Sequence, residues 1–278
     1  MLTAGSIRER GRYVRLNEVE VWVLRPERIT GGHFPAFDRV LNEEERARAM
    51  RFHFPEDRLS YICAHALTRC ALEAASGTSA RDFNFRIGRH GKPEIDEEPE
   101  RGRLRFNLSH SRGLVCCAVT RERDVGIDVE RISSNTDIDG LARQVFAADE
   151  VAYLGRLEGC ARRDAFFAIW TLKEAYTKAV GRGLSLPLDG FSVCLDPLSL
   201  VIGQSLLGDP EAGNGADWHV RLARPIPGYR LAVAVRAGRS GRVSYRFREI
   251  TPDALAALCC APKNSTERPS SPALCRYR

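Results

Sequence analysis

Residues 170–178 have the sequence WTLKEAYTK, at the start of the longer run WTLKEAYTKAVGRGLSLPLDGFSV. In a helix, Trp170, Glu174 and Lys178 are four residues apart, so they lie on one face in the order aromatic, acidic, basic. The simplest interpretation is a surface helix in which Glu174 and Lys178 form an ion pair worth about 0.2–0.5 kcal/mol. A different interpretation requires a second segment with complementary chemistry.

The segment VGIDVE, residues 125–130, is this second segment. Alternation along a strand places Asp128 and Glu130 on the same side, about 6–7 Å apart. Adjacent carboxylates repel each other, and Asp and Glu are unfavourable in strands. A bound Mg²⁺ resolves this conflict, because hard oxygen ligands on a rigid strand suit the ion. The alternative is an edge strand with a solvated acidic face.

The helix and the strand together supply the parts of a metal and phosphate site. Asp128 and Glu130, with Glu174 from the helix, would give one metal ion three carboxylate ligands. Lys178, one turn further along the helix, would meet a phosphate whose charge the metal does not fully neutralise. We therefore expect Asp128 to face a cleft and not the core.

Other segments of the first half suit the same site. In RHGKPEI, residues 89–95, Lys92 lies in a Gly-Lys-Pro turn, with an ordinary exposed lysine as the alternative. In FNLSHS, residues 106–111, Ser109 and His110 belong to a cluster of small donors that can hold phosphate oxygens, although His110 is also explained as a structural histidine. Arginines near RFHFPEDR would reach a further phosphate or pair with acidic residues of their own helix; these are Arg46, Arg48, Arg51 and Arg58.

Length and composition are those of a globular protein. The 278 residues, 44% hydrophobic and 28% charged, suffice for one large domain or two modest halves. Because no run of about 18 apolar residues and no signal peptide is recognisable, we expect no membrane association and a cytoplasmic location. The nine cysteines are scattered without metal-binding spacing, which predicts reduced and mostly buried thiols.

The net charge of +6 does not predict nucleic-acid binding. Residues 262–278 contain four basic residues and one acidic residue, so half of the excess charge lies there. This stretch is rich in Pro and Ser without apolar periodicity, which predicts a disordered tail. The weakly basic remainder suits small phosphorylated ligands or an acidic protein partner, and we expect no nucleic-acid partner.

Periodicity and turn signals predict alternating helices and strands. Asn42 caps a helix that runs to about Phe52, and Pro55 opens a longer helix that closes near Gly77. Strands are predicted at 19–24, 83–87, 104–108, 114–120, 125–130, 191–195, 218–223, 230–236 and 243–248, and further helices at 137–146, 149–158 and 162–180.

The chain is predicted to divide at the charged link RERD, residues 121–124. This division gives an N-terminal α+β half at 1–122 and a C-terminal α+β half with the metal site at 123–252. A short segment with the disordered tail follows at 253–278.

The motifs GKP, NLSHS, GIDVE and WTLKEAYTK, in this order, resemble the 4′-phosphopantetheinyl transferase superfamily, in particular the larger, monomeric class of the surfactin synthetase activator. The resemblance covers residues 43–236. It implies an α+β fold in which two similar halves are related by a pseudo-twofold, with coenzyme A in the cleft between them. It also implies a monomer that acts on an apo acyl or peptidyl carrier protein, acidic around its modified serine.

The resemblance also implies roles for individual residues. The magnesium ligands are Asp128, Glu130 and Glu174, with Mn²⁺ as an alternative ion. Lys178 acts on the pyrophosphate as a catalytic residue beside Asp128 and Glu174, and Glu174 is the first choice to accept the serine proton. The residues assigned to coenzyme A are Lys92, Ser109, His110, Arg48, Arg51 and Lys178, with His110 on the 3′-phosphate.

Two other function classes stay open at this point. A metal-dependent nuclease would also use an acidic strand and a lysine, although Lys178 follows Glu174 by four residues on a helix and not by two on a strand. A non-catalytic module that binds coenzyme A or a carrier protein would need the phosphate contacts but not all three carboxylates.

Overall fold

The computed structural model describes residues 13–88, 90–96, 102–238 and 241–261. The strands are β1 (Glu18–Leu24), β2 (Phe85–Ile87), β3 (Pro93–Ile95), β4 (Leu104–Ser111), β5 (Leu114–Arg121), β6 (Val125–Arg131), β7 (Phe191–Leu195), β8 (Leu198–Ile202), β9 (Trp218–Ala223), β10 (Tyr229–Arg236) and β11 (Ser244–Ile250). The α-helices are α1 (Phe34–Asp38), α2 (Glu43–Ala49), α3 (Pro55–Ser76), α4 (Ile138–Val145), α5 (Ala148–Gly155), α6 (Gly159–Val180) and α7 (Pro252–Cys259). The α+β class predicted from the sequence is confirmed.

The first sheet has the strand order β11-β1-β5-β4, and α3 covers one of its faces. Strand β5 shows how the sheet has two buried faces. Its side chains at 115, 117 and 119 pack in the core beneath α3, and those at 114, 116 and 118 pack on the opposite face. A strand buried on both faces is continuously apolar, which explains the run LVCCAV.

The second sheet has the order β6-β10-β9 and is covered by α6. Its other face meets the first sheet, since the side chains of β6 at 125, 127 and 129 share a core with those of β1, β5 and β10. The molecule is therefore built from four layers in the order helix, sheet, sheet, helix. Two further pairs, β2 with β3 and β7 with β8, form separate two-stranded sheets.

The two long helices have similar boundaries. Both α3 and α6 contain 22 residues, and each ends at a glycine with positive φ, Gly77 at 80° and Gly181 at 83°. A residue without Cβ adopts this left-handed conformation at little cost, so these glycines terminate the helices. At the start of α2, the predicted cap at Asn42 is confirmed, because its side chain accepts a hydrogen bond from the Glu45 backbone N–H at 2.8 Å.

Gly126 sets the distance between β6 and α6. A Cβ built at Gly126 would lie 2.0 Å from the carbonyl oxygen of Ala175 and 2.4 Å from the backbone nitrogen of Ala179. The backbone of α6 thus lies directly against β6 at Gly126, and the helix residues that meet it are Ala175 and Ala179. This close approach brings the polar residues on either side of Gly126 and Ala175 together.

The segment from Ser244 to Cys259, which crosses the predicted boundary at residue 252, packs with the first sheet. Strand β11 pairs in parallel with β1, and α7 packs on α1 and α3, so residues 244–259 complete the first sheet and its helical layer. Without β11, β1 would be an edge strand with two buried glutamates, Glu18 and Glu20. Arg246 lies 2.9 Å from Glu18, and Arg248 lies 3.2 Å from Glu20. The predicted disordered tail, 262–278, lies outside the described residues.

The eight cysteines in the described parts of the chain are all free, and five are buried, as the sequence predicts. None of the described helices is long and apolar enough to cross a bilayer.

Replacing Gly126 by alanine should separate α6 from β6. We expect Gly126→Ala to lower the free energy of unfolding by about 3 kcal/mol, because the new methyl group must displace helix backbone and not a flexible side chain. Urea unfolding measures this change. Gly155→Ala is the control, since nothing lies within 4 Å of a Cβ at Gly155. Equal stabilities for the two variants would contradict the close approach.

Candidate active site

Strands β4 and β6 are edges of different sheets and are joined by side chains. Asn107 accepts a hydrogen bond from the Ile127 backbone N–H through Oδ1, at 2.9 Å. Ser111 Oγ accepts one from the Arg131 backbone N–H, at 3.1 Å. Two of the small polar residues in FNLSHS therefore hold the two sheets in register.

Asp128 lies in a buried position, which differs from the cleft-facing position expected from the sequence. The residue is only 3% exposed. Its Oδ1 accepts hydrogen bonds from Ser109 Oγ at 2.9 Å and from Lys178 Nζ at 2.6 Å, whereas Oδ2 is buried without a partner in the described structure. The physical reason is that β4 and α6 cover the side of β6 from which Asp128 projects.

Lys178 pairs with Asp128 and not with Glu174, so the simple helix-surface pair does not form. Its Nζ also donates to Ser109 Oγ at 3.0 Å. Burial alone would lower the pKa of Lys178, but the charge and hydrogen bond of Asp128 outweigh it and raise the pKa above the usual value. The ammonium is thus held in its charged form beside the strand carboxylates.

The third member of the helical row has a different environment. The ring of Trp170 lies 5.9 Å from that of Phe166 and 6.4 Å from that of Phe146, measured between centroids. Trp170 therefore packs against the core of the second half, and only Glu174 and Lys178 project toward the acidic strand.

Glu130 and Glu174 both resist ionisation. Burial raises the pKa of Glu130 to about 7, and the neighbouring Asp128 charge adds to this shift, whereas a hydrogen bond from Ser111 Oγ opposes it. Burial, followed by the Asp128 charge, also raises the pKa of Glu174. Three carboxylates therefore lie close enough to influence one another, with the ammonium group of Lys178 among them.

The residues of this region suit a hard cation. Within the described ranges, no three His, Cys, Asp or Glu side chains are grouped closely enough to form a metal site. The donor set nevertheless fits Mg²⁺ or Mn²⁺, because Asp128 has a buried oxygen without a partner and the two glutamates would be relieved of mutual repulsion.

Lys92 lies at the seam between the halves. Its Nζ donates to the carbonyl oxygens of Val125, at the start of β6, and Ala179, near the end of α6, each at 3.0 Å. Burial lowers the pKa of Lys92 to about 8. The structure thus gives Lys92 two backbone partners, and its predicted phosphate contact stays a prediction.

A cleft of about 350 Å³ lies on the α3 side of β4. Its wall contains His110 and Arg48, two of the residues predicted to bind coenzyme A, together with the aromatic rings of Tyr61 and Phe106. Arg51 lies outside this cleft, in a separate groove that it shares with Arg48. Ser109 faces Asp128 on the other side of β4.

A polar group at the same cleft is not among the residues predicted from the sequence. Glu45, His65 and Arg69 form a hydrogen-bonded chain beneath it. The signal was present, since Tyr61, His65 and Arg69 are four residues apart in an otherwise apolar stretch of α3 and therefore lie on one face.

Removing the charge at Glu130 should stabilise the protein increasingly as pH rises. The pKa of this carboxyl is higher in the folded chain than the value of 4.5 in the unfolded chain. Ionisation of Glu130 therefore lowers the free energy of unfolding. The loss is absent at a pH below the unfolded-state pKa of 4.5 and complete at a pH above the folded-state pKa of about 7. We expect Glu130→Gln to gain stability over the parent between pH 5 and pH 8, measured by urea unfolding in metal-free buffer. Parallel curves for parent and variant would contradict the shift, and the exposed Glu158→Gln is the control.

Comparison with known proteins agrees with this arrangement. The family described as the 4′-phosphopantetheinyl transferase superfamily matches residues 124–234, and that described as 4′-phosphopantetheinyl transferase, N-terminal, matches residues 30–122. A 4′-phosphopantetheinyl transferase of Bacillus subtilis is 33% identical over 175 residues, 63% of this chain and 75% of the relative. The 4′-phosphopantetheinyl transferase Sfp of Bacillus subtilis strain 168 is 29% identical, over 71% of this chain and 83% of its own. The 4′-phosphopantetheinyl transferase HetI of Nostoc sp. strain PCC 7120 is 36% identical, over 57% and 66%. The chain belongs to the 4′-phosphopantetheinyl transferase superfamily.

Proposed function

We propose that the protein transfers 4′-phosphopantetheine from coenzyme A to a serine of an apo acyl or peptidyl carrier protein and releases 3′,5′-ADP. The observation that carries this proposal is the partly buried group in which Asp128 and Glu130 of β6 lie near Glu174 and Lys178 of α6. A module that only binds coenzyme A has no use for three crowded carboxylates, and the family comparison favours neither such a module nor a nuclease.

Asp128, Glu130 and Glu174 would hold the divalent cation, Mg²⁺ or Mn²⁺. When bound, the cation would neutralise charge on the pyrophosphate oxygens and make the departing phosphate a better leaving group. Lys178 supplies a further positive charge to the same oxygens from its position one turn along α6.

The serine Oγ attacks the β-phosphorus of coenzyme A and forms the new phosphorus–oxygen bond. The bond from this phosphorus to the bridging oxygen breaks, and the oxygen leaves on 3′,5′-ADP. We assign the serine proton to Glu174, the carboxylate on α6 one turn before Lys178. The residues contribute chiefly by placing charges, which is typical of phosphoryl transfer.

We further propose that the two halves are related by a pseudo-twofold and that coenzyme A lies in the cleft between them. His110 stands at the end of β4, at the wall of the α3-side cleft, and β4 also carries Ser109 toward Asp128. A coenzyme A molecule with its diphosphate near Lys178 would therefore pass His110 as it enters this cleft. We propose that Lys92, Ser109, Arg48 and Arg51 also contact coenzyme A.

The carrier protein is proposed to dock through its acidic surface on the basic residues that follow β6. Arg162 pairs with Asp139 at 2.5 Å, and Arg163 donates to backbone carbonyls at 133 and 136, so these two also fix the local fold. Arg131 and Arg143 are exposed. The monomeric state, the cytoplasmic location and the absence of a nucleic-acid partner stay predictions.

Incubation with coenzyme A, Mg²⁺ and a panel of apo carriers tests the function directly. Intact mass spectrometry should show one phosphopantetheine group added to the carrier serine, with 3′,5′-ADP released in equal amount. Chelation of the divalent cation should stop the transfer. Apo carriers that stay unmodified in all combinations would refute the proposal.

Replacing Lys178 should affect both stability and turnover. Lys178→Met leaves Asp128 buried without its counter-charge, so the melting temperature should fall, unlike the small effect of losing a surface pair. At a temperature where the variant is folded, kcat should be about 100-fold lower because a charge on the reacting phosphate is lost. Lys178→Arg retains the charge and should recover the melting temperature more fully than kcat. Parental kcat in folded Lys178→Met would exclude a role on the phosphate.

Salt should weaken the interaction with the carrier more than that with coenzyme A. Attraction between surfaces is screened over about 8–10 Å at physiological ionic strength, whereas close contacts in a cleft are screened less. We expect the KM for the carrier to rise about tenfold between low and high salt, in steady-state assays with either substrate varied. A carrier KM that does not depend on salt would show that docking does not use these arginines.

A further inference from the structure

The polar chain Glu45–His65–Arg69 is an extended hydrogen-bonded group outside the carboxylate site. His65 Nδ1 lies 2.9 Å from Glu45 Oε1, and Arg69 Nε donates to Glu45 Oε2 at 2.8 Å. Arg69 is completely buried and also donates to the carbonyl oxygens of Ala80 and Phe83. This chain fixes one histidine ring at the wall of a cleft.

The chain keeps Glu45 ionised. Burial acts to raise the pKa of Glu45, but the hydrogen bonds and charges of His65 and Arg69 outweigh it, so the pKa is lowered. An ionised carboxylate accepts, so His65 Nδ1 carries the proton and donates it. The charge of Glu45 is balanced by that of Arg69, whose side chain is also buried.

The contacts of His65 leave its second ring nitrogen, Nε2, as the atom that can meet a ligand in the cleft. Nδ1 is used by Glu45, the ring packs against Tyr61 with centroids 4.1 Å apart, and the side chain retains 22% exposure. The ring also lines the cleft on the α3 side of β4. Its Nε2 is the remaining polar atom, and the hydrogen bond to Glu45 fixes the direction in which this nitrogen points.

The cleft itself suits a flat base that carries a phosphate. Its walls include the aromatic rings of Phe85 and Phe106, on which a base can pack, and its lining also includes the guanidinium of Arg48 and the imidazole of His110. Coenzyme A has such a part, since its adenosine carries a 3′-phosphate one ribose away from the diphosphate. With the diphosphate near Lys178, the base and the 3′-phosphate occupy the cleft.

We propose that His65 Nε2 binds the 3′-phosphate of coenzyme A and that Glu45 positions the ring for this contact. The inference rests on the proposed function, because it takes coenzyme A as the substrate. It makes His65 a residue that distinguishes coenzyme A from 3′-dephospho-coenzyme A.

His65→Asn tests the contact with little disturbance of the fold. The Asn amide takes the place of Nδ1 and can still donate to Glu45, whereas nothing replaces Nε2. We expect the Kd of coenzyme A, measured by titration calorimetry, to rise about tenfold, the loss of one charge-assisted hydrogen bond. The Kd of 3′-dephospho-coenzyme A should be unchanged, and circular dichroism melts should show that the variant is folded.

His219→Gln is the control, since this histidine lies on β9 of the second sheet, is not among the residues that line the cleft, and is partly exposed. If His65→Asn raised the Kd of both ligands equally, the ring would contact the base or the ribose, and the proposal would be overturned. An unchanged Kd for coenzyme A would overturn it as well. Failure of the proposed function would give a different result: the parent protein would then modify no carrier protein, whatever its Kd for coenzyme A.

Discussion

The contact of α6 with β6 at Gly126 is the constraint on which the site depends. Because no side chain separates the two backbones, Glu174 and Lys178 reach the same space as Asp128 and Glu130. A residue with a Cβ at position 126 would push the helix outward, and the 2.6 Å contact between Lys178 Nζ and Asp128 Oδ1 would lengthen. The geometry of the site is therefore decided two residues before its first carboxylate.

Burial of so many charges is costly, and the structure offsets only part of the cost. Asp128 has a salt bridge and a serine donor, whereas Glu130 and Glu174 have raised pKa values. Buried ion pairs contribute little net stability because desolvation opposes their attraction. A cluster of carboxylates of this kind is better explained as a binding site for positive charge than as a stabilising element. Such costly clusters are common at functional sites.

The sequence predicts much of this arrangement from local signals. Alternation in VGIDVE and the spacing of Glu174 and Lys178 identify the two elements of the site, and Asn42, Pro55 and Gly77 mark the helix boundaries. What it cannot give is the packing between distant segments. The parallel pairing of β11 with β1 and the burial of Asp128 beneath β4 both depend on which layers meet. Strand β3 has only three residues, which are too few for alternation to show.

The same dependence on packing explains why residues chosen for ligand binding also join the halves. Lys92 connects the turn before β3 to both β6 and α6, and Ser109 connects β4 to Asp128. A shift between the sheets would therefore change the surroundings of these carboxylates, since Ser109 and Ser111, which donate to Asp128 and Glu130, belong to the other half. A site shared in this way exists only when both halves are folded and docked, so the register of the two halves is part of the chemistry and not only of the stability.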